Sequence, residues 1–240
     1  MNKINYLLII LISLSIDTYC IMGNQCNFDI SYKKYKYTEN IVKEFDFKSG
    51  ILKVYNQIGA IIVESFDKDK IEINITKRAT TKKLLQEVKV NIDVKDNRAI
   101  VKAEIDSTKS SELDISVNIK VPKCTKLESL TTNVGAITVR NIDNLVDVKT
   151  DVGAIKLNNI NGNIIARADV GAIALSLPKN INAMVKVGAD VGKISSDFKE
   201  IKVKRELPYG SSQASGKLGN GKNNIDLSTN VGSISIKKIL

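Results

Sequence analysis

The chain has 240 residues, 43 % of them hydrophobic and 26 % charged, which excludes a disordered polymer and predicts one large or two small domains. The formal net charge is +10, but no dense Lys/Arg block with aromatic partners occurs, so nucleic-acid binding is not expected. Histidine is absent, which excludes Ser-His-Asp and Cys-His catalysis and most zinc sites.

Residues 1–23 are predicted to be a signal peptide. Lys3 supplies a positive charge near the start, and an apolar run of eleven residues extends from Tyr6 to Ile16. This run has the length of a signal-peptide core and is too short to cross a bilayer as a helix. The alternative is a buried strand or helix of the mature fold. A signal peptide predicts export to the periplasm, the outer membrane or the cell surface.

The cysteines leave two alternatives open. Cys20 follows the apolar run and is a candidate for lipid attachment, although Tyr19 before it is bulkier than bacterial lipoprotein signals accept. Membrane contact is expected only through such an anchor. If cleavage falls after Cys20, then Cys26 and Cys124 remain and an oxidising compartment would allow them to pair. The sequence alone does not establish that bond.

Residues 24–50, rich in Tyr and Lys, are predicted to lead into or cap a repeat domain that covers residues 51–240. A cap is expected because an open end of stacked strands exposes unpaired edges. Between residues 67 and 121 apolar side chains alternate with polar ones, which predicts strands, with one helical turn at Lys82–Glu87 and a stop at Pro122. The core is expected to be aliphatic, since only 5 % of residues are aromatic.

A five-residue motif recurs in the second half of the chain: Asp or Asn, then Val-Gly, a small residue or Lys, and Ile. Its glycines are spaced by 18, 18, 21 and 40 residues, the last close to two periods, and a period near twenty is typical of repeat folds. The five copies begin at Asn133, Asp151, Asp169, Asp190 and Asn230, and an outlying copy is Gln57-Ile58-Gly59-Ala60-Ile61.

The spacing around each motif fits one short strand, a glycine corner and a second short strand. Stacking such units aligns like residues in aliphatic columns and lets each backbone pair with the next. Glycine at the corner permits a positive φ or a close approach by the neighbouring unit. The sequence therefore predicts an all-β fold, a parallel β-solenoid or flattened β-roll with coils of roughly 18–20 residues. Residues 204–224, rich in Gly and Ser, are predicted to be a loop-like insertion.

One segment points to a known group. The stretch from Val117 to Lys123, with its Val121-Pro122 step, precedes the repeated Val-Gly corners. Over roughly residues 45–240 this arrangement resembles the bacterial "putative adhesin" envelope proteins, of the GIN type and related domains of unknown function. The resemblance implies a parallel β-solenoid, export and no established catalytic activity.

The acidic position of the motif is the sharpest candidate site. Stacked coils would place Asp151, Asp169 and Asp190 about 5 Å apart, where their carboxylates could bind Ca²⁺. The competing and favoured interpretation is that Asp and Asn cap the corner by accepting backbone hydrogen bonds. If the carboxylates stack without a cation, nearby Lys or backbone N–H groups are expected to offset their repulsion. No other cofactor is expected.

The sequence thus predicts an exported, adhesin-like envelope protein that acts as an interaction surface and performs no catalysis. A glycan or another envelope protein is the expected partner, because a regular charged face suits repeated weak contacts. Two alternatives stay open: a polysaccharide-active enzyme on the same scaffold, with a cleft near residues 204–224, and a structural spacer without a ligand.

Overall fold

The computed structural model describes residues 35–106, 112–206 and 210–239. The predicted signal peptide, Cys20 and Cys26 lie outside these residues. The described chain contains one short helix, and the rest of its regular structure is strand. The elements are β1 Tyr37–Asp46, β2 Ile51–Ile58, β3 Ile61–Ser65, β4 Lys70–Ala79, α1 Lys82–Gln86, β5 Val88–Lys95, β6 Arg98–Ile105, β7 Leu113–Val121, β8 Lys126–Val134, β9 Ile137–Ile142, β10 Val146–Ile160, β11 Ile164–Leu177, β12 Ala183–Ser196, β13 Lys202–Glu206, β14 Ser211–Leu218 and β15 Asn223–Lys238.

The long strands each serve two layers. In β10 the side chains of Val146 and Val148 are buried before the corner, and those of Ile155 and Leu157 are buried after it. The inward positions therefore change from even to odd numbers across Val152-Gly153, because the strand bends there. The arm before the glycine pairs with β8 and the arm after it pairs with β9. The strand arms before and after the corner glycines thus form a first and a second layer around one aliphatic core.

The strand order is open and mixed. Pairing gives the first layer the order β5-β6-β2-β8-β10-β11-β15-β12-β14-β13. The second layer has the order β1-β4-β7-β3-β9-β10-β11-β15-β12. The all-β prediction is confirmed. Parallel pairing holds for the central strands only, because antiparallel strands flank the parallel ones at β5–β6, β1–β4–β7 and β12–β14–β13.

One feature of the order departs from the predicted stack. The last strand, β15, lies between β11 and β12 and pairs in parallel with both. The corner glycines therefore stack in the spatial order 59, 135, 153, 171, 232, 192. Sequence spacing alone cannot reveal this order, since every copy of the motif offers its neighbours the same register.

The corner glycines are required by close packing between coils. A Cβ on Gly171 would lie 1.6 Å from the carbonyl oxygen of Gly153, and one on Gly153 would lie 1.8 Å from that of Gly135. Real side chains cannot occupy such positions, so the coils approach at the corner only because no Cβ is present.

The prediction of a loop-like insertion at residues 204–224 is wrong. The chain there forms an antiparallel hairpin: β13 pairs with β14, and β14 pairs with the first arm of β12. Alternating small residues are compatible with a strand when one face packs, and Ser212, Ala214 and Leu218 are buried on that face. Gly and Ser content misled the prediction because it reports turn propensity without the pairing partner.

The described part of the N-terminal segment forms the outermost strand of the second layer. Strand β1 pairs antiparallel with β4 from Tyr37 opposite Ala79 to Asp46 opposite Lys70. The predicted helical turn is present as α1, where the Thr81 hydroxyl accepts a hydrogen bond from the Leu84 N–H at 3.2 Å. Strand β7 ends at Val121, directly before Pro122.

Candidate functional site

The predicted calcium residues are not three consecutive members of one column. Asp151 and Asp169 occupy equivalent positions on the paired strands β10 and β11. Asp190 lies two coils away from Asp169, because the Asn230 position of β15 separates them. Among the described residues, no group of three or more Asp, Glu or Cys side chains is arranged to hold a metal ion.

A lysine lies between the two adjacent carboxylates. The Lys149 Nζ is 3.3 Å from Asp151 Oδ1 and 3.8 Å from Asp169 Oδ2. This contact matches the expected compensation of stacked carboxylates by a nearby Lys. The calcium site itself stays a prediction, to be tested with the ion.

The corner hydrogen bonds come from residues that the sequence reasoning did not single out. The hydroxyl of Thr132 donates to the Gly59 carbonyl at 3.3 Å, that of Thr150 to Gly135 at 3.2 Å, and that of Thr229 to Gly171 at 3.4 Å. All three threonines are buried. The signal was available, since a Thr precedes the corner Gly by three positions in each of these copies.

The outer face of the first layer carries two parallel rows of polar side chains. The acidic row runs along the corner and includes Asp190, Asn230, Asp169, Asp151 and Asn133. The basic row lies two residues earlier on each strand and crosses ten strands at one register position. Its members are Lys204, Gln213, Gly188, Ser228, Arg167, Lys149, Thr131, Tyr55, Lys102 and Asn91.

The basic row contains no Asp or Glu, and it extends for about 43 Å if adjacent strands lie about 4.8 Å apart. Some of its cations are held by carboxylates of neighbouring rows. Arg167 lies 3.6 Å from Asp147, and Lys149 contacts the acidic row as described. Burial raises the pKa of the partly buried Asp147 carboxyl, and the Arg167 charge opposes that rise.

Beside the corner an apolar ridge faces the solvent. The valines of the five motif copies are between 47 % and 54 % exposed, although they belong to the repeat itself. Their outward position follows from the bend, since the residue before the glycine lies on the convex side of the corner. These residues are Val134, Val152, Val170, Val231 and Val191.

A groove opens where the first layer ends at its C-terminal strands. It has a volume of 970 Å³ and is lined by residues of β12, β13, β14 and β15. Gly188 belongs to its lining, and a Cβ on this glycine would meet no atom within 4 Å. The basic row therefore enters a concave region at Lys204, Gln213, Gly188 and Ser228.

The geometry defines an all-β protein of two layers, with bent strands shared across a glycine corner and no helix among the described residues that could span a membrane. The family described as Toastrack DUF4097 matches residues 114–237, slightly more than half of the chain. The chain belongs to this family. The resemblance to "putative adhesin" proteins of unknown function is thereby confirmed.

A solved structure has a similar fold. A "putative cell adhesion protein" from Clostridium sporogenes is similar with a TM-score of 0.60 and 18 % sequence identity, covering 85 % of this chain and all of the other. A "putative adhesin" from Bacteroides fragilis has 14 % identity and a TM-score of 0.32, covering 82 % of this chain and 96 % of the other. No curated protein sequence matches the chain.

Proposed function

We propose that the protein is exported and acts as an adhesin-like interaction surface of the bacterial cell envelope, without catalysis of its own. The observation that carries this proposal is the basic row, a line of ten residues, nine of them with polar or cationic side chains, that crosses ten strands without a carboxylate. Such a surface suits an extended partner that makes many weak contacts, a glycan or another envelope protein. The name of the Clostridium sporogenes structure, a "putative cell adhesion protein", also supports an adhesin-like role.

Rigidity of the scaffold also supports this role. Each central coil is held by backbone pairing to both neighbours and by the glycine contacts at the corner. Side chains of the outer rows therefore keep a fixed spacing, so binding would not require ordering of the backbone.

The enzyme alternative has a geometric difficulty at the groove. Its lining carboxylates, Asp190 and Asp226, lie on neighbouring strands. In the strand register Asp226 stands opposite Lys186, which is four residues before Asp190. Four residues along a strand correspond to roughly 13 Å. Paired carboxylates that hydrolyse glycosidic bonds stand at most about 9.5 Å apart.

The test is retention of the full-length chain on envelope fractions and on a glycan panel, at low and high salt and with and without Ca²⁺. Salt-sensitive retention of a defined component is expected, since exposed charges dominate the surface. Calcium-dependent retention would support the predicted cation site at Asp151 and Asp169. Failure with every fraction would contradict the proposal and favour a structural spacer, and shortening of a polysaccharide would favour the enzyme.

Export is tested separately. Expression of the chain in a bacterial host should yield a processed form in the envelope or medium, and mass spectrometry would locate the cleavage point. An unprocessed cytoplasmic chain would contradict the export part of the proposal.

A further inference from the structure

The groove at the C-terminal end of the first layer has the composition of a binding site. Its walls are β13 with β14 on one side and β15 on the other, and β12 lies between them. The side chains that line it combine cations with amide, hydroxyl and carboxylate groups. They include Lys186, Lys202, Lys204, Gln213, Asp226 and Ser228.

Three exposed lysines line the groove. Lys186, Lys202 and Lys204 are exposed and take part in none of the ion pairs found in the described ranges. Every such ion pair joins residues between Glu39 and Asp169. An ammonium outside an ion pair attracts an incoming anion without first giving up a salt bridge, although Asp226 lies opposite Lys186 in the register and reduces the attraction there.

The distribution of charge along the chain also favours anion binding at the C-terminal end. Residues 178–240 contain 11 Lys and Arg but only five Asp and Glu, so this quarter of the chain carries six of the ten excess positive charges. Three of these cations, Lys186, Lys202 and Lys204, line the groove, and the excess attracts anions toward this end of the molecule.

The polar side chains of the groove indicate which class of anionic polymer it would bind. Gln213, Ser228 and Asp226 offer the donors and acceptors that sugar hydroxyl groups need, and three lysines are available for carboxylates. Single-stranded nucleic acid would need stacking platforms, and the described lining contains no aromatic side chain. A membrane surface is flat or convex toward a protein, whereas this site is concave.

We propose that the groove between β13 and β15 binds a carboxylated polysaccharide, with Lys186, Lys202 and Lys204 contacting its carboxylates and Gly188 leaving room for a sugar unit on the floor. The inference deepens the proposed function, on which it rests, because it names the ligand class and the part of the surface that receives it.

The experiment measures binding of the full-length chain to polygalacturonate, with dextran as a neutral polysaccharide and duplex DNA as a competing polyanion. The groove variant is Lys186→Gln, Lys202→Gln and Lys204→Gln together. Its matched control is Lys156→Gln, Lys193→Gln and Lys237→Gln, three exposed lysines in the second-layer arms that change the net charge equally. A separate variant, Gly188→Leu, fills the floor from a position where a Cβ meets no atom within 4 Å.

The unaltered chain should bind polygalacturonate and should not bind dextran. It should bind DNA less tightly than polygalacturonate. The groove variant should lose about tenfold or more in affinity, since several exposed charge contacts disappear together. Gly188→Leu should weaken binding at unchanged net charge, and the control variant should bind within about twofold of the unaltered chain. Circular dichroism confirms that each variant is folded.

Three results would overturn the inference. Equal losses in the groove and control variants would mean that net charge alone causes retention. Equal affinity for DNA and polygalacturonate would contradict the assignment to a glycan. No binding to polygalacturonate would exclude the ligand class, yet retention of the same chain on envelope fractions would leave the proposed function standing.

Discussion

The central coils and the C-terminal end of the molecule are built from the same motif but use it differently. In β8, β10 and β11 the units stack in chain order, and Lys149 and Arg167 are bound to neighbouring carboxylates. At the C-terminal end β15 is inserted out of order, an antiparallel hairpin follows, and exposed lysines stand unpaired in the described residues. The comparison indicates that the repeat supplies the scaffold, while the departures from it create the candidate site.

The largest expected effect is that of removing the inserted strand. A chain that ends after Lys222 lacks β15, the partner of both β11 and β12. Residues 183–218 should then lose their amide hydrogen-exchange protection, because β12 keeps only its hairpin partner, while residues 51–177 should stay protected.

A chain that lacks only residues 239 and 240 serves as the control and should remain protected throughout. If residues 183–218 of the shorter chain stayed protected, β12 would have re-paired directly with β11 in chain order. The inserted position of β15 would then not be needed for the C-terminal end to fold.

Next in size is the replacement of a corner glycine. Gly171→Ala places a Cβ 1.6 Å from the Gly153 carbonyl oxygen, so adjacent coils must separate at the corner. We expect a loss of about 3 kcal/mol or more in the free energy of unfolding. Denaturant unfolding followed by circular dichroism measures this loss.

The matched control is Gly188→Ala on the outer face of β12, where a Cβ meets no atom within 4 Å. It should be neutral or stabilising by up to about 1 kcal/mol, because glycine is entropically costly in a strand. Similar losses in the two variants would contradict the role of close approach at the corner.

A smaller effect is expected for the buried corner hydroxyls. The Thr150 hydroxyl donates a hydrogen bond of 3.2 Å to the Gly135 carbonyl. Thr150→Val keeps the shape of the side chain but removes this hydrogen bond. We expect a destabilisation of about 1 kcal/mol in denaturant unfolding. Thr138→Val, on the outer side of β9, is the comparison and should change stability little. Equal effects at both sites would argue against the hydroxyl column.

The smallest effect concerns the partly exposed ion pair between β2 and β8. The Lys53 ammonium, 3.0 Å from Glu128, lowers the pKa of that carboxyl below its ordinary value of 4.5. A lowered pKa means that the pair stabilises the fold fully above pH 4.5 and ceases to do so as the pH falls through the lowered value.

The variant Glu128→Gln should therefore be less stable than the unaltered chain at neutral pH, and the difference should vanish in acid. Glu104→Gln, which removes a carboxylate outside the described ion pairs, provides the comparison for thermal unfolding across this range. A stability difference that did not change with pH would show that packing of the side chain, and not its charge, is responsible.

Much of the fold was predictable because burial imposes a regular pattern on a strand. Alternating apolar residues located β4, β5, β6 and β7, and the motif located every corner glycine of the second half. The hairpin at residues 202–218 was missed because Ser and Gly describe local turn preference, whereas Ala214 and Leu218 are buried by partners that local sequence does not name.

The candidate site was less predictable than the fold. The acidic motif position attracted attention through its repetition, but Lys149 lies between Asp151 and Asp169. The lysines of the groove belong to no motif, and they come together only through the pairing of β12, β14 and β13. A repeated residue is visible in sequence, whereas a cluster assembled from three strands is not.

The sequence by itself determined an aliphatic all-β core, the period of the coils and the positions where only glycine is tolerated, because these follow from side-chain alternation and the size of Cβ. The tertiary structure alone decided the order of the coils and the place of the groove. Each motif copy presents the same register to any neighbour, so no local signal selects β15 as the strand between β11 and β12.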